Sequence, residues 1–516
     1  MSRKPLTRTG HCLRHSTSEC RLLYRPRARR LILKPHLTRE RGATASPGRT
    51  APLNAAATPG CGDTVSSVGN REIRVPPYIT AAEKRRPGGL LRTRNFGLLW
   101  AGESVSGLGS AITTVAVPFL AITVLHASTG TVALLTAASW LPWFLIGLPA
   151  GTWVDRWPRR RILVSANLVS AAVLTAIPVA AWTGVLTVPM LLAAVLIAGT
   201  SSMFFTLAFN AYLPHLLAPE ERMEGNAKLQ ASASAAEVAG PGLGGLLTEV
   251  AGAVGGLLID AVTFIVSATC LLRLRTTPEP RAAAGERPSM LRQLSEGLRY
   301  FKYGEFMLPM LIVAAMINLG MLGVFSLRIV FLVRAEGVAP GTVGVLISLA
   351  SLGGLLGAVL ASRAVARFGS ARTYVGVNVV TAPFMLLLPA SGPGWQLALF
   401  TVGSFVVMLG ATLSGTVTAT FRVNYIPAHL LGRVTAVSRF VISGTVPLGA
   451  AIAGVLATAF GIGTAMWVLA TFFAVTPLLL LATSMRSMRD FPALSSQPSV
   501  SSNPASAPGC GDQAGG

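Results

Sequence analysis

Between Asn95 and Arg486 the chain is a succession of apolar runs, each about 20 residues long, the length at which a helix crosses a bilayer. Hydrocarbon offers no water to a peptide N–H or C=O, so runs of this kind have to close their hydrogen bonds internally as helices. Twelve runs are read, beginning near Asn95, Val132, Ile162, Leu186, Asn226, Ala253, Met307, Thr342, Thr373, Gln396, Val434 and Thr464. The composition agrees. Of 516 residues, 52% are hydrophobic and 12% charged, too few charges to cover a soluble protein of that size. The expected class is an all-α membrane protein with twelve transmembrane helices.

Arginine placement orients the spans. If the chain enters from the cytoplasm, the loop Lys and Arg between Arg156 and Arg489 fall on that side except for Arg334, the one found in the opposite loops, while Arg328 and Arg439 lie within spans. The expected topology is a multi-pass protein of the cell (inner) membrane with both termini cytoplasmic. The formal charge of +23 does not point to nucleic acid: the first 95 residues carry 20 of the 43 Lys and Arg but five of the 20 acids, a net +15. That arm is read as a solvated charge run, with attraction to anionic lipid as the alternative.

Residues 1–88 are rich in Arg, Pro, Ser and Gly and are expected to be a disordered basic extension. With no methionine between Met1 and Met190, Val65, Val68 and Val75 offer alternative starts within it. Its Arg29-Arg30 pair is not followed by an apolar stretch, which argues against an export signal. His11, Cys12, His15 and Cys20 lack paired metal-ligand spacing. A six-helix bundle is expected over 89–274, a cytoplasmic central loop over 275–305 with an amphipathic helix from Ser289 to Tyr303, a second six-helix bundle over 306–486, and a disordered tail over 487–516. The five cysteines form no disulfide framework.

The two bundles echo each other. Gly147 and Gly151 align with Gly353 and Gly357; Tyr212, Pro214 and Arg222 with Tyr425, Pro427 and Arg433; Pro241 and Gly244 with Pro447 and Ala450. Internal symmetry between six-span halves is the pattern of transporters whose substrate path lies between repeats.

Two motifs sharpen this. In the first, GLPAGTWVDRWPRRR, Gly147 and Gly151 are expected to let helices approach closely. Asp155, with Arg156, Arg159 and Arg160, supplies a charged latch that can form in one conformation and break in another. The second is Gly240-Pro241-Gly242-Leu243-Gly244-Gly245 in span 5, where Pro241 removes a backbone hydrogen bond and Gly240, Gly244 and Gly245 present a flat face to a neighbour.

On these residues the chain resembles the major facilitator superfamily. G-x-x-x-D-R-x-x-R-R between spans 2 and 3 is similar to the superfamily signature, and G-P-x-x-G-G matches the span 5 motif of its drug-exporting antiporters. LLRTRNFGLLWAGESVSGLGS from Leu90, DRWPRRR from Asp155 and PAHLLGR from Pro427 look like the branch containing macrolide efflux proteins and the enterobactin exporter. The resemblance covers about residues 90 to 486. It implies two pseudo-symmetric six-helix bundles, alternating access, and export of a small, mostly apolar compound such as a drug, a macrolide-like metabolite or a siderophore, by proton antiport. Two departures matter. Ala361 stands where the second hairpin would carry its acid, and span 4 has no arginine, so the usual proton relay does not transfer.

Coupling residues are therefore sought among charges inside spans, which are costly there and face a cavity or a partner. Glu103, Glu237 and Asp260 are the proton-coupling candidates, each with a structural ion pair or hydrogen bond as its bland alternative. Trp140, Phe205, Asn210, Arg328 and Arg439 are the substrate-cavity candidates, alongside Trp143, Phe204, Phe209, Phe325 and Phe405. There is no phosphate-cradling loop, no H-E-x-x-H and no G-x-S-x-G, so neither an enzyme nor a cofactor or metal site is expected. The expected partners are a small-molecule substrate, protons and the lipid bilayer, with no nucleic acid, and the protein is expected to be a monomer. The rival readings are a lysophospholipid transporter of the same fold and a transport-dead membrane sensor.

Overall fold

The structure is a computed structural model that describes residues 89–275, 298–301 and 306–492. The expected disordered arm, most of the central loop and the tail beyond residue 492 lie outside the described residues. Of the helix expected over 289–303, residues 298–301 are described and are helical, with Phe301 buried.

No strand occurs among the described residues. The helices are α1 (Arg94–Thr123), α2 (Thr129–Leu145), α3 (Gly147–Arg156), α4 (Arg159–Trp182), α5 (Val188–Leu216), α6 (Arg222–Leu272), α7 (Met307–Val330), α8 (Pro340–Phe368), α9 (Ser370–Thr381), α10 (Leu397–Tyr425), α11 (Ala428–Phe460) and α12 (Ile462–Val475). Local chemistry fixes several ends. The Ser128 hydroxyl accepts the Thr131 N–H and opens α2, while Pro340 begins α8, where its missing N–H costs nothing.

Nine described helical stretches are long and apolar enough to cross a membrane, and α2 with α3, bent by 67°, makes a tenth. The 51 residues of α6 would span about 76 Å if straight, more than twice a bilayer. Instead Gly252, at φ 71° and ψ 165°, turns the chain and makes α6 two crossings. The 3-10 turns Ala382–Leu387 continue α9 to complete the twelfth. Gly461, at φ 83° and ψ 159°, makes the equivalent turn between α11 and α12. Only glycine adopts this backbone region without strain. A Cβ at either position meets nothing within 4 Å, so backbone conformation alone requires glycine there.

In the first half α1 lies along α6 and α4 lies against both α5 and α6; in the second, α8 lies along α10 and α7 against α11 and α12. Buried and half-buried amides tie spans together within each half. Asn167 Nδ2 donates to Ser267 Oγ at 2.8 Å, Asn378 Nδ2 to Ser414 Oγ at 2.9 Å, and Asn318 Nδ2 to Thr445 Oγ1 at 2.7 Å. Two seams join the halves, α6 on α8 and α2 on α11.

The apolar core is distributed unevenly. At the end carrying the α1–α2 turn, one cluster runs through both halves and contains Leu120, Leu257, Leu327 and Leu332. At the opposite end each half has its own cluster, around Phe96, Leu163 and Tyr212 in the first and around Tyr374, Phe421 and Val434 in the second.

Candidate translocation site

The span 5 glycines lie in one of the two seams. Gly240 and Gly244 face α1, where a Cβ at Gly240 would strike Ala111 and one at Gly244 would lie 2.9 Å from Ile112 O. Gly245 faces α8, with its Cβ position 2.9 Å from Gly344 Cα. Beside Pro241, the Gly242 N–H donates to Ser348 Oγ across the seam at 2.8 Å. One motif therefore serves two contacts, within its half and between halves. Toward the shared-core end the seams are clasped by charge on backbone. Glu249 Oε2 accepts the Gly341 N–H at 2.8 Å at the start of α8, and the Arg334 guanidinium donates to Ala127 O at 2.6 Å. The first places a carboxylate at a helix N-terminus, where the dipole favours negative charge, and the second satisfies a backbone carbonyl in the α1–α2 turn.

The arginine hairpin sits at the other end, where its members divide the work. Arg159 Nη2 approaches Asp155 Oδ1 at 3.9 Å. Arg160 caps the last turn of α6, donating from Nε to Leu271 O at 3.0 Å and from Nη2 to Leu272 O at 2.5 Å. Arg156 is exposed. Gly151 differs from expectation: a Cβ there meets nothing within 4 Å, and one at Gly147 meets only Trp143 and Met203, at 3.8 and 3.9 Å. The close approach of α2 to α5 occurs earlier, where a Cβ at Gly199 would strike Ser139 O.

In the second hairpin the glycines do pack. A Cβ at Gly353 would strike Phe405 O and one at Gly357 Leu409 O, both on α10. Ala361, in place of the acid, is 2% exposed. The acid arrives from elsewhere: Asp490 Oδ1 accepts the Ser370 N–H at 2.8 Å at the first residue of α9, and Arg489 O accepts the Ala371 N–H at 3.1 Å. Phe491 anchors the segment against Phe421, ring centroids 4.5 Å apart, and Tyr374. Residues 489–491, expected to belong to a disordered tail, are thus packed on the second half.

The three membrane carboxyls occupy different settings. Asp260, 1% exposed, accepts from Thr113 Oγ1 on α1 at 2.5 Å and from Thr263 Oγ1 at 2.9 Å, which makes it a hydrogen-bonded tie between spans 1 and 6. Glu103 is half-buried on α1, has no hydrogen bond or ion pair with any described residue, and adjoins Gly102, which packs on Cys270 and Ser267. Glu237 is exposed, one turn before Pro241, also without such a partner among the described residues.

The substrate-cavity candidates are scattered. Trp140 on α2 is 42% exposed. Phe205 stacks on Phe209 at 5.9 Å, and Asn210 beside it is exposed. The Arg328 guanidinium lies 4.9 Å from the Phe325 ring centroid. Arg439 is exposed on α11, near enough to Arg422 for their charges to interact. Among the described residues no hydrogen bond, ion pair or ring contact joins one of these five to another. Phe204 stacks on Trp153 at 6.3 Å, next to the arginine hairpin. Sequence reasoning missed Glu249, Arg334 and Asp490. Arg334 had a signal, being the lone arginine of its side.

Comparison with known proteins matches the geometry. Residues 88–508 match the family model of transmembrane secretion effectors. Macrolide efflux protein A of Streptococcus pyogenes is 26% identical over 380 residues, 71% of this chain and 90% of that protein. The multidrug efflux pump Tap of Mycolicibacterium fortuitum is 30% identical over 391 residues, 73% of this chain and 91% of that one. Among solved structures, a bacterial homologue of the iron transporter ferroportin in its inward-facing state has a TM-score of 0.62 at 17% identity, covering 77% of this chain and 99% of its own. A bacterial homologue of the human lysosomal transporter Spinster has a TM-score of 0.60 at 16% identity, covering 78% and 99%. These structural likenesses concern the fold. With the family model spanning both bundles, both seams and both hairpins, the chain belongs to the transmembrane secretion effectors of the major facilitator superfamily.

Proposed function

We propose that this protein exports small, mostly apolar compounds across the cell membrane by alternating access, in exchange for protons. It acts as a monomer with both termini cytoplasmic, and its halves are residues 89–274 and 306–486. The observation that carries the reading is the division of the core. One cluster locks the halves together at the α1–α2 end, and separate clusters leave each half independently packed at the hairpin end. Two bodies joined at one end and separately stable at the other are what rocking about a central site requires. With the arginine hairpin cytoplasmic, the joined end is the outer one. Glu249 and Arg334 then act as outer clasps, and Asp155, Arg156, Arg159 and Arg160 as the inner latch.

Glu103 is the proton site in this reading, because a half-buried carboxyl without a partner among the described residues is free to gain and lose a proton, whereas Asp260 is occupied by two hydroxyls. Glu237 is the second candidate. The names of the efflux relatives support substrates of the macrolide and lipophilic-drug kind.

The test is accumulation of labelled macrolides and lipophilic dyes in cells expressing the chain, with and without a protonophore. Lowered accumulation that the protonophore restores supports the proposal. Glu103→Gln is expected to abolish the effect at unchanged membrane abundance, and Asp155→Asn to reduce it. Retained export in Glu103→Gln combined with Glu237→Gln would remove the proton role from both.

A further inference from the structure

A groove of about 560 Å³ runs between α4 and α5 on the hairpin side of the first half. Its walls are set by helical periodicity. Arg161, Ile162, Ser165 and Val169 form one stripe on α4, and Thr200 and Phe204 line it from α5. Two of its three hydroxyls are taken up by their own helices, Ser165 Oγ donating to Ile162 O at 3.1 Å and Thr200 Oγ1 to Leu196 O at 2.8 Å, and the third, on Ser201, is 8% exposed at the residue level. What remains is a mostly apolar channel. From Arg161 to Val169 it extends about 12 Å along the helix, against roughly 15 Å for one leaflet of a bilayer. Leu168 and Val169, 48% and 42% exposed, mark this surface as one that faces hydrocarbon.

The mouth has a different character. Trp157, 67% exposed, stands at the level of the charged hairpin, where indole rings settle between headgroup and chain. The Arg161 side chain is exposed beside it. Unlike Arg159 and Arg160, it makes no hydrogen bond or ion pair with any described residue. A free guanidinium over an apolar channel of leaflet depth has the polarity of an anionic phospholipid, with the phosphate at the arginine and one acyl chain in the groove.

We infer that this groove is a binding site for an anionic phospholipid of the leaflet that faces the hairpin, with Arg161 and Trp157 holding the headgroup. The bound lipid supplies negative charge to the exposed face of the hairpin and fills the gap between α4 and α5. The site does not depend on what the protein exports.

Native mass spectrometry of the full chain, titrated with phosphatidylglycerol or with phosphatidylcholine of the same acyl chains, tests it. Phosphatidylglycerol is expected to bind more tightly. Arg161→Gln is expected to weaken that binding about fivefold, the effect of one surface arginine on an anionic lipid, and to leave phosphatidylcholine unchanged. Val169→Trp, at the far end of the groove, is expected to weaken both lipids by filling the chain channel. The basic N-terminal arm is the same in all three proteins and cancels from the comparison. Equal binding of the two lipids by the parent chain overturns the inference, as does unchanged phosphatidylglycerol binding in Arg161→Gln. Undiminished binding in Val169→Trp likewise places the lipid outside the groove.

Discussion

The two hairpins occupy equivalent places in the halves yet solve the same problem differently. In the first, the helix bends by 67° after Leu145, a Cβ at Gly151 would meet nothing within 4 Å, and Asp155 emerges with its side chain 38% exposed to meet Arg159. In the second, α8 runs unbroken to Phe368, its glycines lie on α10, and the equivalent position, Ala361, points into an apolar cluster. An acid is tolerated only where the bend brings it to the surface. The straight half gains its acid at the start of α9 from Asp490 instead, 120 residues away. The two acids therefore work in different settings: Asp155 faces an arginine from the end of α3, and Asp490 caps the start of α9.

Four substitutions can break or sharpen this contrast. Placing the acid where the echo would put it, Ala361→Asp, buries an unpaired charge and is expected to cost about 3–5 kcal/mol, seen as a large drop in thermal midpoint or loss of folded protein. A mild effect would mean that position 361 reaches the surface as Asp155 does. Next come the paired glycine changes. Gly357→Ala is expected to destabilise by roughly 1–3 kcal/mol through overpacking against α10, whereas Gly151→Ala, in open space within a helix, is expected to stabilise by about 0.5–1 kcal/mol. Equal effects would erase the distinction between a packed and an idle glycine. Smallest is Asp490→Ala, which removes the cap on Ser370 and is expected to cost about 1 kcal/mol, with faster amide exchange confined to the first turn of α9. Protection unchanged there would show that Arg489 O alone holds the turn.

Much of the fold was legible because hydrocarbon leaves so little choice. A run near Asn95 became α1 from Arg94, one near Met307 began α7 at that residue, and one near Gln396 became α10 from Leu397. Starts slipped where a helix carries its first turns outside the apolar run. The span expected from Val434 begins at Ala428, because Pro427 already opens the helix. Gly252 and Gly461 lie 209 positions apart, inside the offset of the echo, but a glycine required by φ looks in sequence like one required by packing. The same limit applies to Gly147 and Gly151: spacing says where small residues recur, but not that a Cβ at Gly147 would have Trp143 and Met203 in ordinary contact while one at Gly151 would meet nothing within 4 Å. Asp260 illustrates a second limit. Thr263, one turn away, was readable as a partner, but Thr113 comes from another helix. Asp490 was hidden further, in a Ser- and Pro-rich segment with no apolar period to mark it as packed.

The measurement that bears most directly on function is proton movement by the purified chain in proteoliposomes carrying an internal pH dye, with a macrolide or lipophilic dye added against an imposed pH gradient. Proton flux that begins only on substrate addition, and that Glu103→Gln abolishes while leaving substrate binding intact, is the result expected of a proton-coupled exporter with its coupling site in span 1. Substrate movement that proceeds without proton flux, or that is unchanged in Glu103→Gln, would contradict it.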